Sequence, residues 1–276
     1  MEEKREKNYR LINMNDVEAR KVDWLWYPYI PYGKVSIVQG DPGEGKTTFI
    51  LRLAALLTKG EPLPGEEGQN LREPINVIYQ NAEDGLEDTI KPRLLAAGAD
   101  CSRVMVIDES LKSLTMTDER LVRAIKETGA KMVVLDPIQA YLGANVDMHR
   151  ANEIRAVLKR LARIAEECDC AIILIGHMNK ASGSKSTYRG LGSIDFQAMA
   201  RSVLLVGRVK NDPTLRVIAH DKSSLAPEGA SIAFRLDKEN GFRWEGPCDI
   251  TVDELLSGTI KGEKPKDAKS FLLEIL

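Results

Sequence analysis

The sequence predicts an α/β protein with a doubly wound, mostly parallel sheet, helices on both faces and an antiparallel extension of strands towards the C-terminus. Short apolar segments alternate with helical segments between residues 35 and 175. These apolar segments are nearly continuous, which is typical of parallel strands buried on both faces. Beyond residue 200, strand-like segments follow one another with only turns between them, which indicates antiparallel pairing.

The predicted elements follow in order along the chain. The first strand is 35–39, and the segment 48–57 after it has helical composition without a breaker. The remaining strands of the parallel part are 75–79, 104–107, 131–135 and 171–175. The remaining helices are 86–97, which tolerates Pro92 near its start, 118–128 and 151–167. The antiparallel strands are predicted at 203–206, 215–219, 231–235 and 241–244.

A glycine-rich loop joins the first strand to its helix. Its sequence, Gly40-Asp-Pro-Gly-Glu-Gly-Lys46-Thr47, matches the pattern G-x-x-x-x-G-K-[ST]. Between a strand and a helix, such a loop wraps backbone N–H groups around a β-phosphate at the positive helix end. Lys46 would neutralise the β- and γ-phosphates, and the Thr47 hydroxyl would ligate Mg²⁺. We therefore predict a nucleoside triphosphate site formed by Asp41, Pro42, Gly43, Glu44, Gly45, Lys46, Thr47 and Thr48.

Acidic residues follow two other predicted strands. Asp136 ends an apolar strand and would lie at the carboxyl edge of the sheet, where open α/β sheets bind ligands. It is the candidate to hold Mg²⁺ opposite Thr47, with a turn aspartate as the alternative. Because Pro137 follows it, no glutamate adjoins it and a general base must come from elsewhere. Glu83 is the favoured base, ahead of Asp84, provided that the strand before it neighbours the loop strand. Both acids could instead cap the next helix.

His177 comes directly after the strand segment 171–176. A polar side chain at this position can sense the γ-phosphate and relay its presence to the following segment. A structural histidine is the alternative.

Two segments are candidates for contact with nucleic acid. The segment 180–190 combines cations with an aromatic side chain and flexible residues, a composition that suits single-stranded nucleic acid. Its candidate contacts are Lys180, Lys185 and Tyr188. The segment 137–150, with Tyr141, His149 and Arg150, is the second candidate. A solvated loop would have the same composition in either case.

Three arginines follow the predicted sensor. Oligomeric NTPases of this loop type often use an arginine from a neighbouring subunit to stabilise the transition state. Arg201 and Arg189 are favoured for this role and Arg208 is third, although any of them could be a surface arginine. Upstream of the glycine-rich loop, the aromatic segment 24–32 is predicted to pack on the core, with a subunit contact as the alternative.

Composition limits the possible functions. The 276 residues, 43% of them hydrophobic and 29% charged, indicate a soluble globular protein with a sizeable core. A net charge of −2 gives no support to a globally basic nucleic-acid binder, so any such site must be a local patch. No apolar run approaches the ~18 residues of a membrane span and no signal peptide is recognisable, so we expect a cytoplasmic protein. The four cysteines lack the spacing of a zinc site.

The expected domain organisation has three parts. Residues 1–23 form an N-terminal tail or arm, and residues 24–250 form the ATPase core. Residues 251–276 are interpreted as a polar linker followed by a short amphipathic helix at 268–276. A helix this short is marginal alone, so we interpret it as the start of a further, truncated module.

Taken together, these residues resemble the RecA-like ATPases, and among them the RepA-type hexameric replicative helicases of plasmids and mobile elements. The resemblance covers about residues 24–244 and rests on the order and spacing of short motifs. These are Tyr29-Ile-Pro-Tyr-Gly33, the loop 40–47, Asn81-Ala-Glu-Asp84, Arg93-Leu, Gly98-Ala, Leu135-Asp-Pro137, His177-x-x-Lys180, Arg189-Gly-x-Gly-Ser193 and Ala200-Arg201.

The resemblance implies a RecA-like fold, Glu83 as catalytic base and Arg201 or Arg189 as an arginine acting in trans. It also implies a hexameric ring and hydrolysis of ATP, with Mg²⁺, that depends on DNA. Two features depart from the family pattern. Serine or alanine is usual where this loop has Asp41-Pro42 and Glu44, and the charge of Glu44 predicts slow turnover. The sequence also shows no primase, zinc or origin-binding module, so we do not expect a complete replication initiator.

Two hypotheses of function remain from the sequence. The first is a ring-forming ATPase that moves or remodels DNA for a mobile element. The second is an ATP-switched regulatory or recombination protein that binds DNA or a protein partner without unwinding. A small-molecule kinase is less favoured, because the sequence offers a trailing β-region where a kinase would need an arginine-containing lid.

Overall fold

The computed structural model describes residues 11–66, 71–144, 146–148, 150–178 and 194–258. Its strands are β1 (Trp24–Trp26), β2 (Ile30–Pro31), β3 (Val35–Gly40), β4 (Val77–Asn81), β5 (Val104–Met105), β6 (Met132–Asp136), β7 (Ala171–His177), β8 (Ser202–Val209), β9 (Asp212–Ser223), β10 (Ser231–Asp237) and β11 (Gly241–Cys248). Its helices are α1 (Lys46–Lys59), α2 (Lys91–Ala97), α3 (Glu119–Thr128), α4 (Ala151–Glu167), α5 (Ile194–Met199) and α6 (Val252–Ser257).

Nine of these strands form one sheet, in the order β11-β10-β9-β8-β3-β7-β6-β4-β5. The strands from β8 to β5 in this order are parallel, whereas β9, β10 and β11 pair antiparallel. The predicted fold class, with its antiparallel extension, is therefore confirmed. The antiparallel strands are longer than predicted: β9 runs from Asp212 to Ser223. Backbone pairing continues there through polar residues that the apolar pattern could not identify.

Helices cover both faces of the sheet. On one face, α1 packs with the β1–β2 segment on residues such as Val38, Val134 and Ile173. On the other face, α3, α4 and α5 cover residues such as Val133 and Ile172. Successive residues of a strand point to opposite faces, so each buried strand supplies both clusters. This explains why the strands read as continuous apolar segments rather than as alternating ones.

Local signals fix several helix ends. Asp118 accepts a hydrogen bond from the backbone N–H of Arg120 at the start of α3, and Gly129 ends that helix with a φ of +62°. The helix predicted at 86–97 begins as a π-turn at Leu86–Ile90 and continues as α2, with Pro92 in its first turn. Proline lacks a backbone N–H, and the first turn is where a helix does not need one.

The aromatic segment upstream of β3 packs on the core, as predicted. Leu25, Trp26 and Ile30 are buried. The Trp26 indole donates to the carbonyl of Pro64 at 3.0 Å, and the Tyr29 hydroxyl donates to the carbonyl of Ala230 at 2.6 Å. A buried Trp or Tyr needs such a partner for its polar atom, so these bonds fix the segment in place.

The condition attached to Glu83 in the sequence analysis is not met by the sheet. The strand before Glu83, β4, does not lie beside the loop strand β3, because β7 and β6 separate the two. The seven-residue strand β7 pairs with β3 from Val35↔Ile172 to Gly40↔His177 and lies between β3 and β6. Its first six residues are buried, which is what a central parallel strand requires.

Several predictions concern residues outside the described part of the chain. The tail at 1–10, most of the linker, the helix at 268–276 and the segment 179–193 all lie there. Among the helices that the structure does describe, none is long and apolar enough to cross a bilayer.

Candidate active site

The loop between β3 and α1 has glycines at positions that disfavour a side chain. Gly43 and Gly45 have φ angles of +79° and +94°, in the left-handed region that side chains disfavour. A Cβ at Gly40 would collide with the carbonyl oxygen of Val206. Gly45 caps α1 without a side-chain hydrogen bond, so backbone N–H groups of its first turn remain available. A phosphate fits this position at the positive end of the helix.

Lys46 points back into the loop. Its Nζ donates to the carbonyls of Gly40 and Asp41, each at 2.9 Å, and lies 3.2 Å from His177 Nδ1. Burial lowers the pKa of Lys46, while nearby carboxylates oppose this shift: Asp136, Asp41, Glu44 and Glu83. The ammonium is thus held by backbone oxygens that phosphate oxygens can replace.

Thr47 and Asp136 meet at the carboxyl edge of the sheet. The Thr47 hydroxyl donates to Asp136 Oδ2 at 2.8 Å, and the Tyr79 hydroxyl donates to the same oxygen at 2.8 Å. Asp136 is 3% exposed. Burial raises the pKa of Tyr79 well above its usual value, as does the Asp136 charge, so the phenol stays a donor. The apolar strand carried no signal that Tyr79 belongs to the site.

The Thr47 hydroxyl and the Asp136 carboxylate are suitable ligands for Mg²⁺. A hydroxyl and a carboxylate are hard oxygen ligands, and Mg²⁺ in nucleotide sites is held by one or two protein ligands, with phosphates and water as the others. The described residues contain no group of three or more His, Cys, Asp or Glu side chains that could hold a metal by themselves. Thr47 and Asp136 therefore fit a metal that arrives with its nucleotide.

Glu83 approaches the site even though β4 is not a neighbour of β3. β4 pairs with β6 so that Asn81 lies beside Asp136, and the backbone N–H of Ala82 donates to the Asp136 carbonyl at 3.0 Å. Glu83 is exposed, and its charge raises the pKa of both Lys46 and His177. The pairing of β4 with β6, rather than with β3, thus brings Glu83 near the loop.

The two acids of this segment differ in their partners. The Asn81 side chain accepts from the backbone N–H groups of Glu83 and Asp84, at 2.9 and 2.6 Å. Asp84 forms an ion pair with Arg93 at 2.8 Å. Neither acid caps the following helix, whose N-cap is Gly85 without a side-chain bond. The carboxylate of Asp84 is therefore paired with Arg93, which fixes this segment. The side chain of Glu83 is exposed.

His177 ends β7, between the strands of the loop and of Asp136. Burial lowers the pKa of His177, and the Lys46 charge lowers it further, so the ring is neutral at pH 7. A neutral ring can accept a hydrogen bond at Nδ1 from Lys46 and donate from Nε2. The histidine therefore has a direct contact with the lysine of the loop.

The predicted arginines lie at different places. Arg201 is exposed at the amino end of β8, where its backbone N–H donates to the Val35 carbonyl. It is about 20 Å along the sheet from the carboxyl end of the strands, where the loop lies. Arg208, at that carboxyl end, donates to the carbonyl of Gly43 at 3.2 Å and lies 3.8 Å from Glu44. Arg189 is outside the described residues.

Of the candidate nucleic-acid contacts, Lys180, Lys185 and Tyr188 lie outside the described residues, as does His149. Tyr141, named for the second candidate segment, is wrong as a nucleic-acid contact: its side chain is 1% exposed and packs in the apolar cluster that contains residues of α4. Arg150 is engaged with Asp147 and Glu153.

Comparison with known proteins gives a family match that includes residues of this site. Residues 3–183 match the family model described as AAA domain. Among curated relatives, DNA repair protein RadA of Helicobacter pylori (strain J99) is 29% identical over 251 residues, 89% of this chain and 48% of the relative. RadA of Halalkalibacterium halodurans is 28% identical over 230 residues, 82% of this chain and 44% of the relative. The chain thus spans about half the length of the curated relatives it matches.

A solved structure described as the ATPase domain of G40P superposes with a TM-score of 0.57. The two are 16% identical in sequence, and the superposition covers 76% of this chain and 84% of the other. At this identity the likeness concerns the fold alone. The family match covers more than half of the chain and includes the loop, Glu83, Asp136 and His177, so the chain belongs to the AAA-domain family and is a P-loop ATPase with a RecA-like fold.

Proposed function

We propose that this chain is an ATP-hydrolysing RecA-fold motor that acts on DNA, as a ring-forming, replicative helicase-like protein of a mobile element. The observation that supports it most is the convergence of Lys46, Thr47, Asp136, His177 and Glu83 at one edge of the sheet. ATP and Mg²⁺ are its proposed cofactors. Residues 24–250 form the proposed ATPase core.

In this proposal, residues 41–48 bind the triphosphate. The Lys46 ammonium exchanges the carbonyls of Gly40 and Asp41 for β- and γ-phosphate oxygens. Thr47 and Asp136 would hold Mg²⁺, which when bound neutralises charge on the phosphates. Tyr79 keeps the Asp136 carboxylate oriented through its hydrogen bond.

Glu83 is the proposed general base. Its carboxylate takes a proton from the water that attacks the γ-phosphorus, and the bond to the leaving ADP oxygen breaks. Asn81 and the Asp84–Arg93 ion pair hold the segment that carries Glu83. His177, whose ring contacts Lys46, is placed to respond when phosphate oxygens become the partners of that lysine.

Action on DNA and assembly are further parts of the proposal. The matched relatives are named DNA repair proteins, which supports a nucleic-acid partner. Lys180, Lys185 and Tyr188 are the proposed contacts with single-stranded DNA, on the composition of their segment. Arg201 is too far from its own loop to reach a phosphate there. An action of Arg201 on a phosphate would therefore be in trans. Arg201 or Arg189 is the proposed trans arginine of a ring, which we propose to be a hexamer.

The proposal is tested by the ATPase activity and by the mass of the protein in solution. Hydrolysis of Mg·ATP is measured with and without single-stranded DNA, together with the mass in solution, and Lys46→Ala serves as the inactive control. The proposal expects stimulation by DNA in an oligomer and no turnover by the control. An active monomer that is indifferent to DNA would contradict the motor, and turnover by Lys46→Ala would contradict the nucleotide site as well.

The second candidate is an ATP-switched DNA-binding regulatory or recombination ATPase without unwinding activity. The names of the relatives favour it, since they describe DNA repair. A forked DNA substrate separates the two candidates. Strand separation that requires ATP hydrolysis supports the helicase-like protein, whereas ATP-dependent binding without separation supports the switch.

A further inference from the structure

Three charged side chains lie beside residues 43–45 of the P-loop. They are Glu44 of the loop itself, Arg208 at the end of β8, and Arg216 of β9, and we call them the loop-side cluster. Arg208 Nη2 donates to the carbonyl of Gly43 at 3.2 Å and lies 3.8 Å from Glu44 Oε1. The Arg216 Cδ lies 3.2 Å from the point where a Cβ on Gly45 would be. The cluster thus contacts the loop beside β8 and β9.

A carboxylate in a phosphate-binding loop needs compensation. Glu44 is close enough to the site to raise the pKa of Lys46, and its charge would repel a triphosphate. Its side chain is 17% exposed, and its Oε2 is buried without a hydrogen-bond partner among the residues that the structure describes. A buried carboxylate is unfavourable unless it is paired with a cation. Arg208 forms the ion pair with it.

Arg216 supplies a second positive charge to the cluster. Burial lowers its pKa, as does the charge of Arg208, while Glu44 raises it, so the three charges act on one another. Its Nη1 also donates to the carbonyls of Pro213, Thr214 and Leu236. Because the bond to Leu236 joins β9 to β10, replacing Arg216 would disturb the sheet. Arg208 is therefore the better residue to replace, because its side-chain contacts described above are with the loop.

The contact of Arg208 with Gly43 also affects the backbone of the loop. The carbonyl and the N–H of a trans peptide point in opposite directions. With the Gly43 carbonyl held by Arg208, the N–H of Glu44 is directed to the other side of the loop. There it donates to the Asp41 carbonyl over a long distance of 3.4 Å. A phosphate oxygen can replace such a weak bond.

We propose that Arg208 is a positioning residue of the nucleotide site, which holds the Glu44 carboxylate beside β8, away from the phosphates, and orients the 43–44 peptide for phosphate binding. The inference rests on the proposed binding of Mg·ATP by this loop. It also gives Arg208 a role within its own subunit, in contrast to the trans role considered from the sequence.

A double-mutant cycle tests this role. The dissociation constant of a fluorescent ATP analogue with Mg²⁺ is measured without DNA for the wild type, Arg208→Ala, Glu44→Gln and the double variant. Arg208→Ala should weaken binding about tenfold, because it leaves the Glu44 charge uncompensated near the phosphates. Glu44→Gln should bind at least as tightly as the wild type. In the background of Glu44→Gln, Arg208→Ala should weaken binding of the analogue only about two- to threefold. This remaining effect comes from the lost hydrogen bond to the Gly43 carbonyl.

Two further variants complete the design. Arg208→Lys keeps the charge and should retain most of the affinity. Arg243→Ala is the matched control, because Arg243 pairs with Glu245 on the edge strand β11. Urea unfolding of every variant checks that the fold persists.

The results that would overturn the proposal are distinct. If Arg208→Ala costs the same affinity with and without Glu44→Gln, Arg208 acts on the nucleotide or on the fold, independently of Glu44. Unchanged affinity in all variants would show that the cluster is ordinary surface. A wild type that binds no Mg·ATP would overturn both the nucleotide site and this inference. A wild type that binds Mg·ATP but ignores DNA would contradict only the motor proposal.

Discussion

Thr47 donates its hydroxyl hydrogen bond to the Asp136 oxygen that also accepts one from Tyr79. The loop and the strand β6 are far apart in sequence, so this contact joins the phosphate-binding residues to the proposed metal ligand. Asp136 is only 3% exposed, and the two hydroxyls give its buried carboxylate oxygen hydrogen-bond partners.

Replacing Tyr79 with phenylalanine should weaken the use of Mg²⁺. The variant removes one donor from Asp136, and loss of such a partner typically weakens metal binding by tenfold or more. We expect the Mg²⁺ concentration for half-maximal hydrolysis to rise about tenfold. The measurement is ATPase activity titrated with Mg²⁺. Tyr29→Phe is the control, because it removes a hydroxyl bonded to Ala230 outside the site. An equal rise in both variants would mean a general effect on the fold.

Replacing Glu83 with glutamine should separate binding from hydrolysis. Without a base, turnover should fall by ~10²-fold or more, while binding of the ATP analogue stays close to that of the wild type. Asp136→Asn should in contrast weaken Mg²⁺-dependent binding as well. Glu87→Gln, an exposed change in the same segment, serves as the control. If Glu83→Gln hydrolyses ATP normally, the base is another acid and Glu83 has no catalytic role.

The sequence predicted the loop and Asp136 because their signals are local. The pattern of residues 40–47 determines which side chains face a phosphate, and an aspartate after an apolar strand must lie at the carboxyl edge. The order of strands is not a local property. For this reason the adjacency of β4 to the loop strand was only a condition in the sequence analysis. The structure places Glu83 near the loop through the pairing of β4 with β6.

Tyr79 and Arg216 show a second limit of sequence reasoning. Tyr79 lies in an apolar strand, where an aromatic residue is expected in any case. Arg216 lies in a strand that had been predicted only as an antiparallel extension. Neither has a motif, since each acts through a contact between elements that are distant in sequence. The error for Tyr141 also comes from a contact between distant elements. Its side chain is buried in a cluster to which α4 contributes, and the local sequence does not show this.

Hydrolysis should depend on contact between subunits if Arg201 acts in trans. Specific activity should then rise with protein concentration. Mixing Lys46→Ala subunits, which keep Arg201, with Arg201→Ala subunits, which keep the loop, should restore part of the activity at mixed interfaces. The measurement is the rate across mixing ratios at constant total protein. A concentration-independent rate and no recovery on mixing would contradict both the ring and the trans arginine.

His220 should make the stability of the fold dependent on pH. Burial lowers the pKa of His220 to about 4, and its two ring nitrogens contact Ser202 and the backbone N–H of Gly229. The unfolded chain takes up the proton near pH ~6.5 and the folded chain does not, so stability is complete above about pH 6.5 and falls as the pH drops towards 4. Between pH 7 and pH 5 this group should remove about 2 kcal/mol from the free energy of unfolding.

The measurement for His220 is urea unfolding at both pH values. His220→Asn has no ring to protonate, so its free energy of unfolding should change less over this interval than that of the wild type. Carboxylates contribute equally to both proteins and cancel in the comparison. The same pH dependence in both proteins would show that the His220 ring is protonated in the folded state as readily as in the unfolded one.

The last prediction concerns contact with DNA. If Lys180 and Lys185 neutralise phosphates, their replacement should reduce the dependence of affinity on salt. For single strands the slope of log K against log salt is ~0.7 per neutralised charge, so the double alanine variant should lose about one to one and a half units. Stimulation of the ATPase by DNA should disappear, while the basal rate stays close to that of the wild type. The control is Lys210→Ala, which removes an exposed charge from the β8–β9 turn. An unchanged slope and unchanged stimulation in the double variant would show that these lysines are only solvated surface, and would favour the regulatory ATPase.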